Sequence, residues 1–168
     1  MSDELLERLR TLLAPRYEVY HELGRGGMGI VYLGRHVLLD KLVAIKVLDP
    51  RLATALGVQR FLREPRMLAK LSHPNIVHVY DTSDDSSELS YYVMEYLEGE
   101  TLEARIARGK LQQRDVAAIG RDVLAGLQFA QERGIIHRDI KPSNIFLVPA
   151  RAVRRARCWP RPPRWGGA

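Results

Sequence analysis

The stretch Gly24-Arg25-Gly26-Gly27-Met28-Gly29-Ile30-Val31 sets Gly24, Gly26 and Gly29 at spacings of two and three residues, with a valine two positions further on. Missing side chains at such positions let backbone N–H groups close on phosphate oxygens. Dinucleotide-binding folds use a similar spacing, but place it where a strand runs into a helix. Here the residues after Gly29 are Ile-Val-Tyr-Leu-Gly, a β-prone run, so the stretch reads as a hairpin lid over phosphates. A second candidate is Lys46. In Val43-Ala44-Ile45-Lys46 the two-residue period of a strand puts Ala44 and Lys46 on one face and Val43, Ile45 and Val47 on the other. A small residue and a lone cation thus share a face, as a base and its phosphates require. The alternative for Lys46 is an edge-strand lysine in water, and it loses ground because Glu64, on the next helix, is available to ion-pair with Lys46 and orient it.

Positioning these groups takes a sheet and a helix. Tyr17 to Gly24, Gly29 to Val37 and Lys41 to Leu48 are three β-rich runs with short connections, which favour an antiparallel meander. Residues 52–71 have helical spacing through Leu56, Phe61, Leu68 and Leu71. Two more strands follow, around the turn-forming Thr-Ser-Asp-Asp-Ser-Ser-Glu, giving five strands and one helix before Gly99. Upstream, Leu5, Leu6, Leu9, Leu12 and Leu13 fall on one face of a helix that Pro15 ends, and its expected role is packing. Downstream lie a short helix around Thr101 to Gly109 and a longer one from Arg114. In the longer helix Val116, Ile119, Val123, Leu127 and Ala130 make an apolar stripe that calls for a partner helix.

With His137-Arg138-Asp139-Ile140-Lys141-Pro142-Ser143-Asn144 added, the chain resembles a eukaryotic-type serine/threonine protein kinase, and GRGGMGIVY and HRDIKPSN are particularly similar to bacterial members. The likeness covers roughly residues 17 to 148. It implies an α+β, protein-kinase-like fold with a five-stranded antiparallel amino-terminal lobe, one helix, and an incomplete helical carboxy-terminal lobe. It implies ATP and Mg2+ as cofactors and a protein Ser/Thr hydroxyl as acceptor. Carried over, it makes Lys46 the ligand of the α- and β-phosphates, paired with Glu64, beneath a lid from Leu23 to Val31. Val31 and Ala44 would pack on adenine, Met94 at the back, Glu95 to Leu97 at the hinge and Phe146 on the floor. For Met94 and Phe146, plain core packing is the other reading. Asp139 would be the catalytic base, Lys141 would steady the transferring phosphoryl group, and Asn144 would hold one of two Mg2+ ions. The lysine after Asp139 and the Pro-Ser before Asn144 point to Ser/Thr acceptors.

Two departures stand out. Pro65 directly follows Glu64 inside the expected helix, where a proline typically costs about 3 kcal/mol and kinks the helix unless it falls in the first turn. After Asp139 there is no Asp or Glu, so the Asp-Phe-Gly that should supply a second metal ligand is missing. The expected organisation is a helix over 1–16, an amino-terminal lobe over 17–98, a partial carboxy-terminal lobe over 99–148, and a basic tail over 149–168, read as disordered or as a product of a shifted reading frame. The alternative function is an inactive, pseudokinase-like module that binds a nucleotide or a partner.

Charge bears out that division. The net charge of +6 lies in the tail, whose six arginines (Arg151, Arg154, Arg155, Arg157, Arg161 and Arg164) face no acid, while residues 1–148 carry 20 basic and 20 acidic side chains. The basic balance therefore does not imply a nucleic-acid partner. A single cysteine, Cys158, excludes a disulfide framework and fits a reducing compartment. With no apolar run long enough to span a bilayer and an acidic amphipathic start, the expected location is cytoplasmic.

Overall fold

The computed structural model describes the backbone of residues 2–84, 86–149, 155–158 and 164–165; the side chains of Ser2, Glu64 and the residues after 149 lie outside that description. The chain runs α1 (Ser2–Leu13), β1 (Tyr17–Gly26), β2 (Gly29–His36), β3 (Lys41–Leu48), α2 (Ala55–Leu68), β4 (Val79–Thr82) and β5 (Tyr91–Glu95). It continues with β6 (Glu100–Thr101), α3 (Leu102–Ala107), α4 (Gln113–Gln131), β7 (Ile145–Val148), β8 (Arg155–Cys158) and β9 (Arg164–Trp165).

Strands β1 to β5 are the five expected, all antiparallel, in the order β4-β5-β3-β2-β1. The strand period divides their side chains between two cores. On one face Val43, Ile45 and Val47 pack with Val19, Val93 and the leucines of α1, of which Leu5, Leu9 and Leu13 are all buried. The amino-terminal helix is thus a packing helix, as its leucine spacing requires. On the other face Val31, Ala44, Tyr92 and Met94 pack with Phe61 and Leu62 of α2 and with Phe146 of β7.

Thr54 caps α2, its hydroxyl accepting from Gly57 N at 3.1 Å. The helix is continuous through Pro65 to Leu68, and Ala69 N still donates to Pro65 O at 2.9 Å. Pro65 therefore does not sit in the first turn; it lies near the far end of a helix that accommodates it without interruption. The carbonyl of Phe61 loses the donor that any other residue at 65 would give it.

The stripe on α4 meets strands where a helix was expected. Ile119 and Val123 are buried against Ile145 and Leu147 of β7, with Leu127 at the margin, while Ala130 joins Leu71 and Ile76. The short strands cover only the middle of α4, which leaves Val116 52% exposed. Close approach also matters here: a Cβ on Gly126 would sit 3.1 Å from Asn75 O, so a small residue lets α4 lie against the loop before β4.

The tail departs from the structureless reading at two places. Strand β8 pairs antiparallel with β7, from Ile145 opposite Cys158 to Val148 opposite Arg155, and β9 pairs with β1, Gly24 opposite Trp165 and Arg25 opposite Arg164. The physical reason is that edges of β7 and β1 present unpaired N–H and C=O groups, which an extended backbone satisfies whatever its side chains. The rest of the tail lies outside the described residues.

Candidate active site

The lid is the β1–β2 hairpin, closed by the pair Gly26 and Gly29 around Gly27 and Met28. At Gly29 the absent side chain serves packing: a Cβ there would lie 2.0 Å from Val47 O. At Gly27 a Cβ would meet nothing within 4 Å, so the tip faces open space. Asp49 N donates to Met28 O at 3.2 Å and ties the tip to the end of β3. Arg25 leans back along its own strand to pair with Glu22 at 2.9 Å.

Beneath the lid the structure gathers Val31, Ala44, Met94, Leu97 and Phe146 into one buried cluster, with Leu23 at its margin. Register explains the convergence, since Ala44 stands opposite both Leu33 and Met94, and Lys46 opposite both Val31 and Tyr92. Met94 and Phe146 are core residues, as the packing reading has it, and they belong to the same cluster as Ala44. Glu95 follows Met94, and its N–H donates to His78 O at 2.9 Å.

Lys46 is 4% exposed, its Nζ 5.6 Å from the centre of the Tyr92 ring and 6.0 Å from that of Phe61. A buried ammonium needs compensating groups, and two aromatic faces provide part of that. Glu64 lies on α2 as expected, but its side chain, and so the expected Lys46 pairing, falls outside the described residues.

The loop before β7 brings Asp139, Lys141 and Asn144 together. Asn144 closes a single 3-10 turn, Pro142–Asn144, with its N–H donating to Lys141 O at 2.9 Å. Asp139 Oδ2 pairs with Lys141 Nζ at 3.2 Å and accepts from Asn144 Nδ2 at 3.0 Å; the same Nδ2 donates to Asp139 O at 2.7 Å. Asp139 N donates to His137 Nδ1 at 3.3 Å, and Arg138 between them has φ of 60°. A non-glycine residue held in the left-handed region costs on the order of 1 kcal/mol, and such positions concentrate at functional sites.

Asn144 also tests the fit of a metal ion. The residue is 1% exposed, and its Oδ1 has no hydrogen-bond partner among the described residues. A buried amide oxygen left over after its own amide N–H groups are committed is suited to a hard cation. The rest of a metal site is not at hand: among the described residues no three His, Cys, Asp or Glu side chains cluster to hold one. Strand β8, which the backbone places beside β7, contributes Arg-Ala-Arg-Cys and no acid.

A cavity of about 510 Å3 adjoins this loop, lined by Arg60, Arg63 and Met67 of α2, Leu127 and Ala130 of α4, and Asp139. Two residues that hydrogen-bond the lid strand or its tip escaped the sequence reading. Asp49 was signalled by the Asp-Pro pair that often begins a turn. Arg10, described below, had no signal, because its partners are backbone carbonyls.

A two-faced antiparallel sheet with its glycine hairpin, a buried lysine and an Asp-Lys-Asn loop make this a protein-kinase-like fold. The family model described as protein kinase domain matches residues 17–155, and the chain belongs to the protein kinase family. It is 40% identical over 154 residues to the serine/threonine-protein kinase PksC of Streptomyces coelicolor, an alignment covering 86% of this chain and 28% of that protein. It is 41% identical over 147 residues to the serine/threonine-protein kinase PknB of Mycobacterium leprae, covering 84% of this chain and 24% of that one. Among solved structures, the PknI kinase domain of Mycobacterium tuberculosis matches with a TM-score of 0.71 and 32% identity over 86% of this chain and 59% of that domain. The chain therefore spans about a quarter of the length of these curated relatives. Among the described residues no helix is long and apolar enough to cross a membrane.

Proposed function

We propose that the chain binds ATP between the lid and the Val31, Ala44, Met94, Leu97 and Phe146 cluster, and that its Asp139 loop is arranged for transfer of the γ-phosphate to a protein Ser/Thr hydroxyl. The observation that carries this reading is the shared Asp139 Oδ2, held by both Lys141 and Asn144 beside an Asn144 Oδ1 with no hydrogen-bond partner among the described residues. A carboxylate fixed in this way is placed to orient a hydroxyl and take its proton, while Lys141 offers a positive charge to the phosphoryl group in flight. Lys46, with Glu64 as its proposed partner, anchors the non-transferring phosphates. The lid, with Leu23, Gly24, Arg25, Gly26, Gly27, Met28 and Gly29, excludes water above them. The base edge would meet the backbone of Glu95 to Leu97, where Glu95 has its N–H committed to His78 O and would offer its carbonyl oxygen.

Asn144 would hold Mg2+, which when bound neutralises phosphate charge. Residues 140–168 hold no acid, so they offer the ion no carboxylate beside Asn144. Nucleotide binding without efficient transfer follows, and the chain acts as a nucleotide-binding module with trace kinase activity.

The test is nucleotide titration with and without Mg2+, together with transfer from labelled ATP. Lys46→Met should abolish most binding, and Asp139→Asn should keep binding while lowering any transfer by about 100-fold or more. Transfer that survives both substitutions comes from a contaminant. A wild-type chain that binds no nucleotide under either condition overturns the reading.

A further inference from the structure

Strand β1 carries the lid, and it reaches the lid through two irregularities. Between Val19 and Glu22, and again between Glu22 and Gly24, its register with β2 shifts, so β1 spends more residues than β2 over the same span. Bulges of this kind leave backbone groups without ladder partners and bend the strand. At the first of them one side chain answers the carbonyls. Arg10 Nε donates to Val19 O at 2.9 Å, and Arg10 Nη2 donates to Tyr20 O at 2.8 Å. Its Nη1 pairs with Glu7 at 2.5 Å, one turn back on the same helix.

We propose that Arg10 is a positioning residue for the nucleotide lid, fixing the bend at the root of β1 from outside the kinase domain. Arginine suits the task because its planar fork presents several N–H groups in a fixed geometry, so one side chain spans two successive carbonyls. Its own helix is anchored by buried leucines. Helix α1 is stapled to the outer face of the sheet through Leu5, Leu9 and Leu13, and it lies before residue 17, where the family match begins. The helix thus acts as a fixed bracket and the guanidinium as a polar grip on the bulge. A lid with a fixed root loses less conformational freedom when it closes on phosphates, so the grip appears as nucleotide affinity.

This rests on the proposed nucleotide site, and the experiment separates the two. Nucleotide affinity and amide hydrogen exchange are measured for the full chain and for Arg10→Ala, Arg10→Lys and Arg8→Ala. Arg8 is the control on the same helix, since among the described residues it pairs with Glu88 across the surface, at 2.6 Å. Arg10→Ala should weaken nucleotide binding about three- to tenfold, less than the full loss of a hydrogen bond to a charged donor because Arg10 acts on the root of the lid and not on the nucleotide. It should speed exchange across residues 18–31 while leaving β3 and β5 unchanged. Arg10→Lys, with a point charge in place of a fork, should fall between, and Arg8→Ala should match wild type. Wild-type affinity in Arg10→Ala overturns the proposal, as does faster exchange spread evenly over the sheet, which marks a merely structural loss. If the wild-type chain binds no nucleotide, the proposed function fails, and the exchange pattern alone decides for or against Arg10.

Discussion

Asp49 connects the lid to acid stability. Its carboxylate accepts from Arg51 N at 3.0 Å and from the Arg51 guanidinium at 2.6 Å, while its own N–H holds Met28 at the lid tip. The Arg51 hydrogen bonds lower its pKa from the usual carboxylate value to about 2. A pKa that is lower in the fold than in the unfolded chain means stabilisation that is complete above about pH 4 and lost as pH falls towards 2. Since Arg51 is largely in water, screening reduces the effect to about 1 kcal/mol. Asp49→Asn should therefore melt below wild type at pH 7, with the gap closing as pH approaches 2; a gap constant with pH means the carboxylate's charge contributes nothing. Residues such as Lys46, Asp139 and Asn144 were legible in the sequence because their chemistry restricts the residue type. Asp49 and Arg10 were less so, because each acts by meeting a backbone group, and backbone geometry leaves little trace in side-chain identity.

Among the elements, strands and helices followed their apolar periods, and the misses came from neighbours that no local pattern encodes. The α4 stripe calls for a partner helix, but strand β7 covers Ile119 and Val123 at its middle while Val116 stays exposed, because a period of 3.6 specifies an apolar face and not what covers it. Helix α2 carries Pro65 without a break, so the cost of the missing N–H is borne inside an intact helix. Pro65→Ala restores a donor for the Phe61 carbonyl and should stabilise the chain by about 1 kcal/mol, less than the full proline penalty because Pro65 is itself buried. Thermal melting reads this as a rise of about 2–4 °C, and an unchanged or lower midpoint shows that the helix is already adapted to the proline. The pairing of β9 with the lid strand makes a separate prediction. Without residues 159–168, the amides of Gly24 and Arg25 should exchange faster while those of β3 do not, and equal exchange in both forms removes β9 from the account of the lid.

Over the whole molecule, charge and apolar surface act together on association. Residues 1–148 carry 20 basic and 20 acidic side chains, so the folded body has no net repulsion to keep copies apart. Helix α4 leaves Leu124 66% and Val116 52% exposed, and Ile136 beyond it is 66% exposed. Apolar residues of that size in water on a neutral body favour self-association at high concentration. Two forces could drive it, and salt distinguishes them. If the six tail arginines pulled on acidic surfaces of neighbouring copies, raising ionic strength would screen the attraction and release monomers. Apolar contact is not screened, so the association should persist or grow at about 1 M salt, where the Debye length is about 3 Å. Val116→Glu combined with Leu124→Glu should shift the chain towards monomer in sedimentation at every salt concentration, without lowering its melting temperature, because neither side chain belongs to a buried cluster. Dissociation of the unmodified chain by salt alone would transfer the cause from the helix to the tail.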